Sequence, residues 1–600
     1  MRRLWIVPVL VFLLACILPV HAEGEGMKVC FTYPGARTYA ESAYPFEGKT
    51  EAVFTAWKGE RLFLKVAVEA DSDQAVQISG EPLKAAEGEE ELPLAIGRLE
   101  GVSASLGLGE NNGLPHETVY DRILSGVHEA ELHAGTPSYF WITINTGNAP
   151  AGKYEGLITV HAGLDYDLSV TVIVTPYSLA ESGMALDLWQ YPYSSLFRYD
   201  LIDDSKPFGE AHLLALKQET ALYARTGGNR ITCTISDEPW AHQTNYDSPS
   251  LVKWNRDGSG NLWFDFTAFD AWVELCDSLG INGPIECFSI LPYDNALLIY
   301  DDMGVPGRVS YAPGTYDWNN AWQSFLFAFT AHMEEKGWLE RVCLFVDERG
   351  ISEIGFVKDL LSQVPGAEAI KLGAAINGIP NNIEYYDIFD TISISIGALP
   401  KEEGELDAFL DHRRELGKET TLYNCSTTFP SAFALSDPAE SVWTMLYAAS
   451  RGFDGFLRWA YNAWPNGLNE AADNPHFESG DTFLIYPDER NSEALKPSAS
   501  VRLCMMEQGR NDYIKYQALK NRLSPETAAI LETGFDRLPR FYGRDNGYGM
   551  LTHGSEEERI QMMNEVIRLE ALIEKAAAEA AAEQTGLSFF QQKEAMGELS

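Results

Sequence analysis

In the segment Val346-Asp347-Glu348-Arg349-Gly350, two carboxylates stand side by side where an apolar run stops. The run, Cys343 to Val346, reads as a strand buried on both faces. Paired acids at a strand end can divide acid and base work, one giving a proton and the other holding developing positive charge. Neighbours on a regular strand point to opposite sides. Asp347 and Glu348 can therefore share one site only if the strand breaks there, and Gly350 permits that. The structural alternative is that one of the two acids caps the helix that follows.

A second pair, Asp237-Glu238, is followed by Pro239, Trp240 and His242. Pro239 predicts extended geometry at Glu238. Other candidates sit at or near the ends of predicted strands: Trp189 with Gln190 and Tyr191, Glu286 with Asp294 after it, Asn377, and Asp481. Glu286 lies in mid-strand, where a charge needs a partner, so it is either a site residue or paired inside the protein. One strand end carries Trp459, Tyr461, Asn462 and Trp464 within six residues. Aromatic rings stack on the apolar faces of sugars, and paired carboxylates cleave glycosidic bonds. The inventory therefore points toward a carbohydrate, with the aromatic cluster as a binding wall. A single aromatic is as readily a core plug, and His242 alone reads as structural.

These residues need a frame. Strands are predicted at Ala185–Gln190, Arg230–Ser236, Pro284–Ile290, Arg341–Val346, Lys371–Asn377, Ile388–Ile396, Thr420–Cys425 and Gly455–Tyr461. Helical stretches fall at 210–226, 266–279, 319–336, 351–363, 404–416, 437–451 and 498–520, with only a short turn near 380–386. Eight strands in alternation with helices predict a (β/α)8 TIM-like barrel over 181–525, with its chemistry at the C-terminal strand ends. Residues 23–180 are rich in β-branched and aromatic runs broken by turns and predict a β-sandwich. Residues 526–600 predict a helical extension, its long helix running from Glu556 to about Glu583. The fold class is thus multidomain, β plus α/β.

Six hundred residues with a formal charge of −42 argue against nucleic acid and anionic membrane surfaces as partners. No segment after the leader approaches the ~20 apolar residues of a transmembrane helix. Residues 1–22 predict a secretory signal, with Arg2 and Arg3, an apolar stretch from Leu4 to Leu18, and cleavage after Val20-His21-Ala22. A lipoprotein anchor at Cys16 is the alternative, disfavoured by the apolar residues that follow it. The other cysteines, at 30, 233, 276, 287, 343, 425 and 504, are odd in number and scattered, and predict free thiols rather than a disulfide framework. No CxxC or HExxH spacing and no glycine-rich phosphate loop occurs, so no metal and no cofactor is expected. The absence of a GxSxG elbow removes a serine-hydrolase reading.

Several segments together resemble glycoside hydrolase family 123: Gly337-Trp338, Val346-Asp347-Glu348-Arg349, the run Gly455 to Trp464, Ser479 to Pro487, and Ser500-Val501-Arg502-Leu503 running on to Gly509-Arg510-Asn511-Asp512-Tyr513. The resemblance implies a β-N-acetylgalactosaminidase-type enzyme with a β-sandwich before a β/α barrel. It implies substrate-assisted, retaining hydrolysis, in which the 2-acetamido oxygen of the sugar attacks the anomeric carbon. Asp347 would orient the acetamido group, and Glu348 would protonate the leaving oxygen and then activate water. The expectation is a secreted or cell-surface exo-β-N-acetylhexosaminidase acting on glycans with terminal β-linked GalNAc or GlcNAc. Two rivals remain open. One is a silent carbohydrate-binding protein on the same fold. The other is a glycosidase for sugars without the acetamido group, with Asp237 or Glu286 as nucleophile.

Overall fold

The computed structural model describes residues 26–39, 48–107, 115–181, 183–201, 207–379, 383–400, 402–424, 426, 428–468, 470–488, 495–539 and 554–585. The expected leader, residues 1–22, and Cys425 lie outside them. The N-terminal region is β-rich. One five-stranded sheet runs Met27–Thr32, Arg61–Ala70, Ser138–Asn145, Leu94–Ser105, His116–Ser125. A second runs Glu51–Lys58, Asp165–Ser178, Gly152–His161, Gln74–Gly80, Glu129–Leu132, with two short strands off its path. Period-2 alternation sends Leu64, Val66, Val68, Phe140 and Ile142 of the first sheet into one buried cluster with Ile78, Ile158, Val160, Val170 and Val172 of the second.

Eight parallel strands follow: β1 (Ala185–Leu188), β2 (Ile231–Thr234), β3 (Ile285–Phe288), β4 (Val342–Asp347), β5 (Lys371–Ile376), β6 (Thr391–Ser395), β7 (Glu419–Asn424) and β8 (Gly455–Arg458). They make one curled sheet in the order β1-β8-β7-β6-β5-β4-β3-β2. Sequence neighbours are thus sheet neighbours all the way round, as a barrel requires, but the ladder ends at β1 and β2. Those two are bridged by side chains instead: Gln190 N donates to Thr232 Oγ1 at 3.0 Å, and Thr232 N donates to Gln190 Oε1 at 3.0 Å. Strict strand–helix alternation also fails at β5, which is followed only by the 3-10 turn Ile383–Tyr386. The loops after β2 and β3 each contribute two short strands, Lys253–Arg256 with Leu262–Asp265 and Ala296–Tyr300 with Pro306–Ser310. These pair into a four-stranded sheet of their own.

Inside the curl, inward residues of the strands and of the segments just beyond their ends form a largely aromatic cluster: Trp189, Tyr191, Trp240, Phe288, Cys343, Phe345 and Tyr423, with Tyr293 and Trp459 at its edge. The outward set, including Val342, Leu344 and Val346, joins the main core under the helices. The N-terminal sheets are tied to this body by buried polar contacts. Asp121 accepts from Tyr486 Oη at 2.6 Å and from Arg502 Nε at 3.0 Å. The C-terminal helix Glu556–Thr585 packs through Met562, Val566, Leu569, Ile573, Ala576, Ala577 and Ala580, the spacing of one helical face. The six cysteines among the described residues are all free and buried. No described helix is long and apolar enough to cross a membrane.

Candidate active site

Strand parity decides where Asp347 goes. Cys343 and Phe345 face the interior, so Asp347, two residues on, faces it as well, at the open end of β4. By the same parity Glu348 would face outward. It does not continue the strand: its φ is +51°, in the left-handed region. The break therefore falls on Glu348 itself, while Gly350 holds ordinary extended angles (φ −67°, ψ 138°). Gly350 is the N-cap of the helix Ile351–Leu361, which receives no side-chain cap bond, so neither acid is spent on capping.

Each acid has a tyrosine hydroxyl. Tyr293 Oη donates to Asp347 Oδ2 at 3.0 Å. The Tyr423 hydroxyl lies 2.8 Å from Glu348 Oε1 and 2.8 Å from Asn377 Oδ1. One hydroxyl carries one proton, so it serves one of these oxygens at a time. The loop is pinned by Arg349, which donates to Pro292 O at 3.3 Å, Tyr293 O at 3.2 Å and Asn295 Oδ1 at 3.1 Å, and pairs with Glu353 at 2.7 Å. Arg349 thus locks the acid pair against the segment that supplies Tyr293. Burial, and then the adjacent Glu348 charge, push the Asp347 carboxyl up to about 7 despite the Tyr293 bond. Asp347 is half-buried and Glu348 exposed, so the second acid meets solvent directly.

The other expected site residues divide. Asn377 reaches the pair through Tyr423. Trp459, half-buried, donates Nε1 to Tyr191 Oη at 2.5 Å at the edge of the aromatic cluster. Trp189 is floor rather than wall: it is buried, with Nε1 on Asp187 Oδ2 at 2.8 Å and its ring 4.6 Å from Phe288. Tyr461, Asn462 and Trp464 do not join a binding wall. Tyr461 Oη and Asn462 Nδ2 each donate to Glu219 at 2.8 Å on the outer helix Glu210–Thr226, and Trp464 Nε1 donates to Ile485 O at 2.7 Å. They fasten the end of β8 to its surroundings. Asp481 is buried against Arg458, and burial pushes its carboxyl up to about 6. Glu286 is not at the opening either. It lies two residues below Phe288, within the electrostatic reach of Asp187 and Arg230, and burial with the Asp187 charge raises its carboxyl.

The second acid pair is engaged elsewhere. Asp237 Oδ2 accepts from Arg308 Nη1 at 3.0 Å, and Arg308 also holds Asp294. Glu238, contrary to the extended geometry expected before Pro239, has φ +50°. Its carboxylate takes the backbone N–H of Ser248 and that of His242, bracing its own loop. Glu238, His242 and Asp247 also form the one group among the described residues with metal-ligand spacing, within 4.8 Å, but Glu238 is already satisfied by backbone donors.

Sequence reasoning missed Tyr293, Tyr423, Arg349 and Arg308. Tyr423 lies near the end of a predicted strand, but only the packing of that strand shows that its side chain faces the interior. Tyr293 and Arg308 lie on excursions whose folding no local pattern announced.

Residues 189–519 match the model of the glycoside hydrolase 123 catalytic domain. A family 123 glycoside hydrolase from Clostridium perfringens, whose structure was described for glycolipid glycan hydrolysis, is similar over 93% of this chain and 100% of its own, at 26% identity and a TM-score of 0.85. A Bacteroides ovatus GH5 xyloglucanase aligns over 79% of this chain and 100% of its own at 10% identity, with a TM-score of 0.29. No curated protein matches the chain. The family match spans more than half of the sequence, and the aligned region holds Asp347, Glu348, Tyr293 and Tyr423: the chain belongs to glycoside hydrolase family 123.

Proposed function

We propose that this glycosidase is a secreted, retaining exo-β-N-acetylgalactosaminidase or β-N-acetylhexosaminidase that uses the substrate's own 2-acetamido group as nucleophile. We read the curled sheet as a (β/α)8 barrel opened between β1 and β2, with the N-terminal sheets as a β-sandwich packed on it. The observation that carries the reading is the tandem acid pair, brought to one opening by strand parity at Asp347 and a left-handed φ at Glu348. A retaining enzyme with its own nucleophile needs a second carboxylate ~5–5.5 Å across the scissile bond from the acid. The neighbouring carboxylates are committed elsewhere: Asp237 and Asp294 to Arg308, Glu238 to backbone N–H groups, and Asp481 to Arg458.

In the proposed cycle, ionised Asp347 accepts the acetamido N–H and holds the carbonyl oxygen against the anomeric carbon. That oxygen bonds to the carbon as the glycosidic C–O bond breaks. The bonding pair leaves on the aglycone oxygen, which takes the proton of Glu348. The Glu348 carboxylate then removes a proton from the water that attacks the anomeric carbon, and the amide is restored. Two aryl β-glycosides that differ only in 2-acetamido against 2-hydroxyl test this. The 2-acetamido compound is expected to turn over at least ~10²-fold faster, since only it carries the nucleophile. A thiazoline mimic of the bicyclic intermediate should inhibit far below the concentration of the parent sugar. Equal turnover of both glycosides, or no turnover of either, overturns the reading. Because the Clostridium perfringens relative is described through glycolipid glycan hydrolysis, glycolipid glycans are the natural substrates to try first.

The mechanism needs Asp347 ionised, and its carboxyl sits at about 7, so kcat/KM is expected to fall on the acid side near neutrality. Tyr293 donates to the charged form and so holds that value down. In Tyr293→Phe the acid limb of kcat/KM should move upward by about one pH unit. A limb that stays put would show that Asp347 does not set it.

A further inference from the structure

The sheet built from the loops after β2 and β3 runs Leu262–Asp265, Lys253–Arg256, Ala296–Tyr300, Pro306–Ser310. One of its faces is buried. Trp254 stacks on Phe325 at 4.9 Å and meets Trp322 edge-on at 5.0 Å, both from the helix Tyr316–Lys336, and Phe264 pairs with Trp254 on the same side. The register sends a different set to the other face: Trp263 opposite Asn255, which is itself buried, Asn255 beside Tyr300, and Leu298 opposite Arg308. Trp263 is 53% exposed there, Tyr300 is half-buried, and Lys253 Nζ sits 4.5 Å above the Tyr300 ring. Trp263 and Tyr300 thus offer ring surface to solvent on this face, and aromatic rings are apt partners for the apolar faces of sugars.

That face runs into the opening of the acid site. Arg308, which shares it, donates to Asp237 at the end of β2 and to Asp294 after β3. Asp294 is the chain neighbour of Tyr293, whose hydroxyl is on Asp347. From the strand of Arg308 to that of Trp263 is three interstrand steps of ~4.8 Å, roughly 14 Å, the reach of a short oligosaccharide rather than of one sugar ring. Its charges are mixed, with Lys253 and Arg308 set against Asp237, Asp265 and Asp294, on a chain of net charge −42. Such a surface repels polyanions and suits a neutral ligand.

We infer that this face is the binding platform for the leaving-group side of the substrate, a neutral oligosaccharide of two or more sugars, with Trp263 and Tyr300 stacking on its rings and Arg308 donating to its hydroxyls. The inference rests on the glycosidase reading and adds the surface that would hold the leaving-group side of the substrate.

Kinetics of the full chain test it, comparing an aryl β-N-acetylgalactosaminide with a β-GalNAc-terminated neutral tetrasaccharide. Trp263→Ala should lower kcat/KM about tenfold more for the tetrasaccharide than for the aryl sugar. Trp263→Phe, which keeps a ring, should retain most of the wild-type preference. Equal losses on both substrates, or no loss on the tetrasaccharide, overturn the platform while the proposed activity stands. If the wild type hydrolyses neither compound, the glycosidase reading falls by itself, and the platform is judged by titrating the tetrasaccharide against tryptophan fluorescence. A saturable change lost in Trp263→Ala supports it, and no change, or the same change in the variant, overturns it. A shift in oligomeric state on Trp263→Ala with substrate preference intact also overturns it and gives the face to a second copy of the chain.

Discussion

Asp347→Asn is expected to cut kcat on every substrate by about 10²–10³, whatever the leaving group, because a neutral amide accepts the acetamido N–H more weakly and cannot hold the positive charge that develops beside it. Glu348→Gln should behave differently. It removes the proton donor, so hydrolysis of natural glycans should fall by about 10²–10⁴, while aryl glycosides with acidic leaving groups, which need little protonation, should lose much less. Steady-state kinetics on a series of aryl leaving groups separates the two patterns. The same substitutions at Asp237 and Glu238 should cost far less, since those side chains brace Arg308 and their own loop. If Glu238→Gln in a well-folded protein proves as damaging as Glu348→Gln, the catalytic pair has been misassigned. Asp347→Asn carries a second signature. The folded Asp347 carboxyl sits at about 7 against an ordinary value of 3.8, so between those pH values the folded protein holds a proton that the unfolded chain has released. Wild-type stability therefore falls as pH rises through that window. The amide has nothing to ionise, and the variant should melt higher than wild type at pH 8.

The largest loss of stability is expected at Lys515, far from the acid pair. Its ammonium is buried between Glu60 Oε1 at 2.5 Å and Asp512 Oδ1 at 3.7 Å. It also faces Glu574 and Glu570 of the helix Glu556–Thr585. Glu60 lies in the turn between two strands of the N-terminal sheets and Asp512 in the helix Val501–Lys520, so one cation joins three parts of the chain. Removing it from a buried pair leaves carboxylates without compensation, at a cost of about 3–5 kcal/mol. Lys515→Met should therefore unfold at markedly lower denaturant concentration at pH 8. Burial raises the acids around it, Asp512 to about 6 and Glu574 to about 7, so they take up protons as pH falls through that range. The deficit of the variant should accordingly shrink at pH 5. A deficit independent of pH would show that packing, not charge, is what Lys515 supplies.

Much of this molecule could be read along the chain. The eight parallel strands and their main helices lie within a few residues of the predicted spans, because strands buried on both faces are short unbroken apolar runs and the helices carry their own periodicity. The helix 210–226 has its predicted bounds. That the acid pair closes β4 followed from the same pattern, but a run apolar on both faces does not say which acid points inward; the packing of Cys343 and Phe345 in the interior cluster decided for Asp347. What the pattern could not decide was anything set by a partner distant in sequence. Glu348 turns to the site through a backbone angle that alternation does not forecast, and both acids depend on tyrosines more than 50 residues away. Tyr461, Asn462 and Trp464 had the composition of a sugar-binding wall, yet the bonds to Glu219 and Ile485 make them fastenings of β8. Glu286 and Asp187 were separate acids in sequence and became neighbours only when the strands curled. The four-stranded sheet with Trp263 left no local signal, because each of its strands is four or five residues long and gains its stability from the others. Local spacing thus determined which residues could stand at the end of a strand; the tertiary structure, by bringing hydrogen-bond and ion-pair partners together, decided which of them are held at the opening and which are consumed in holding the fold.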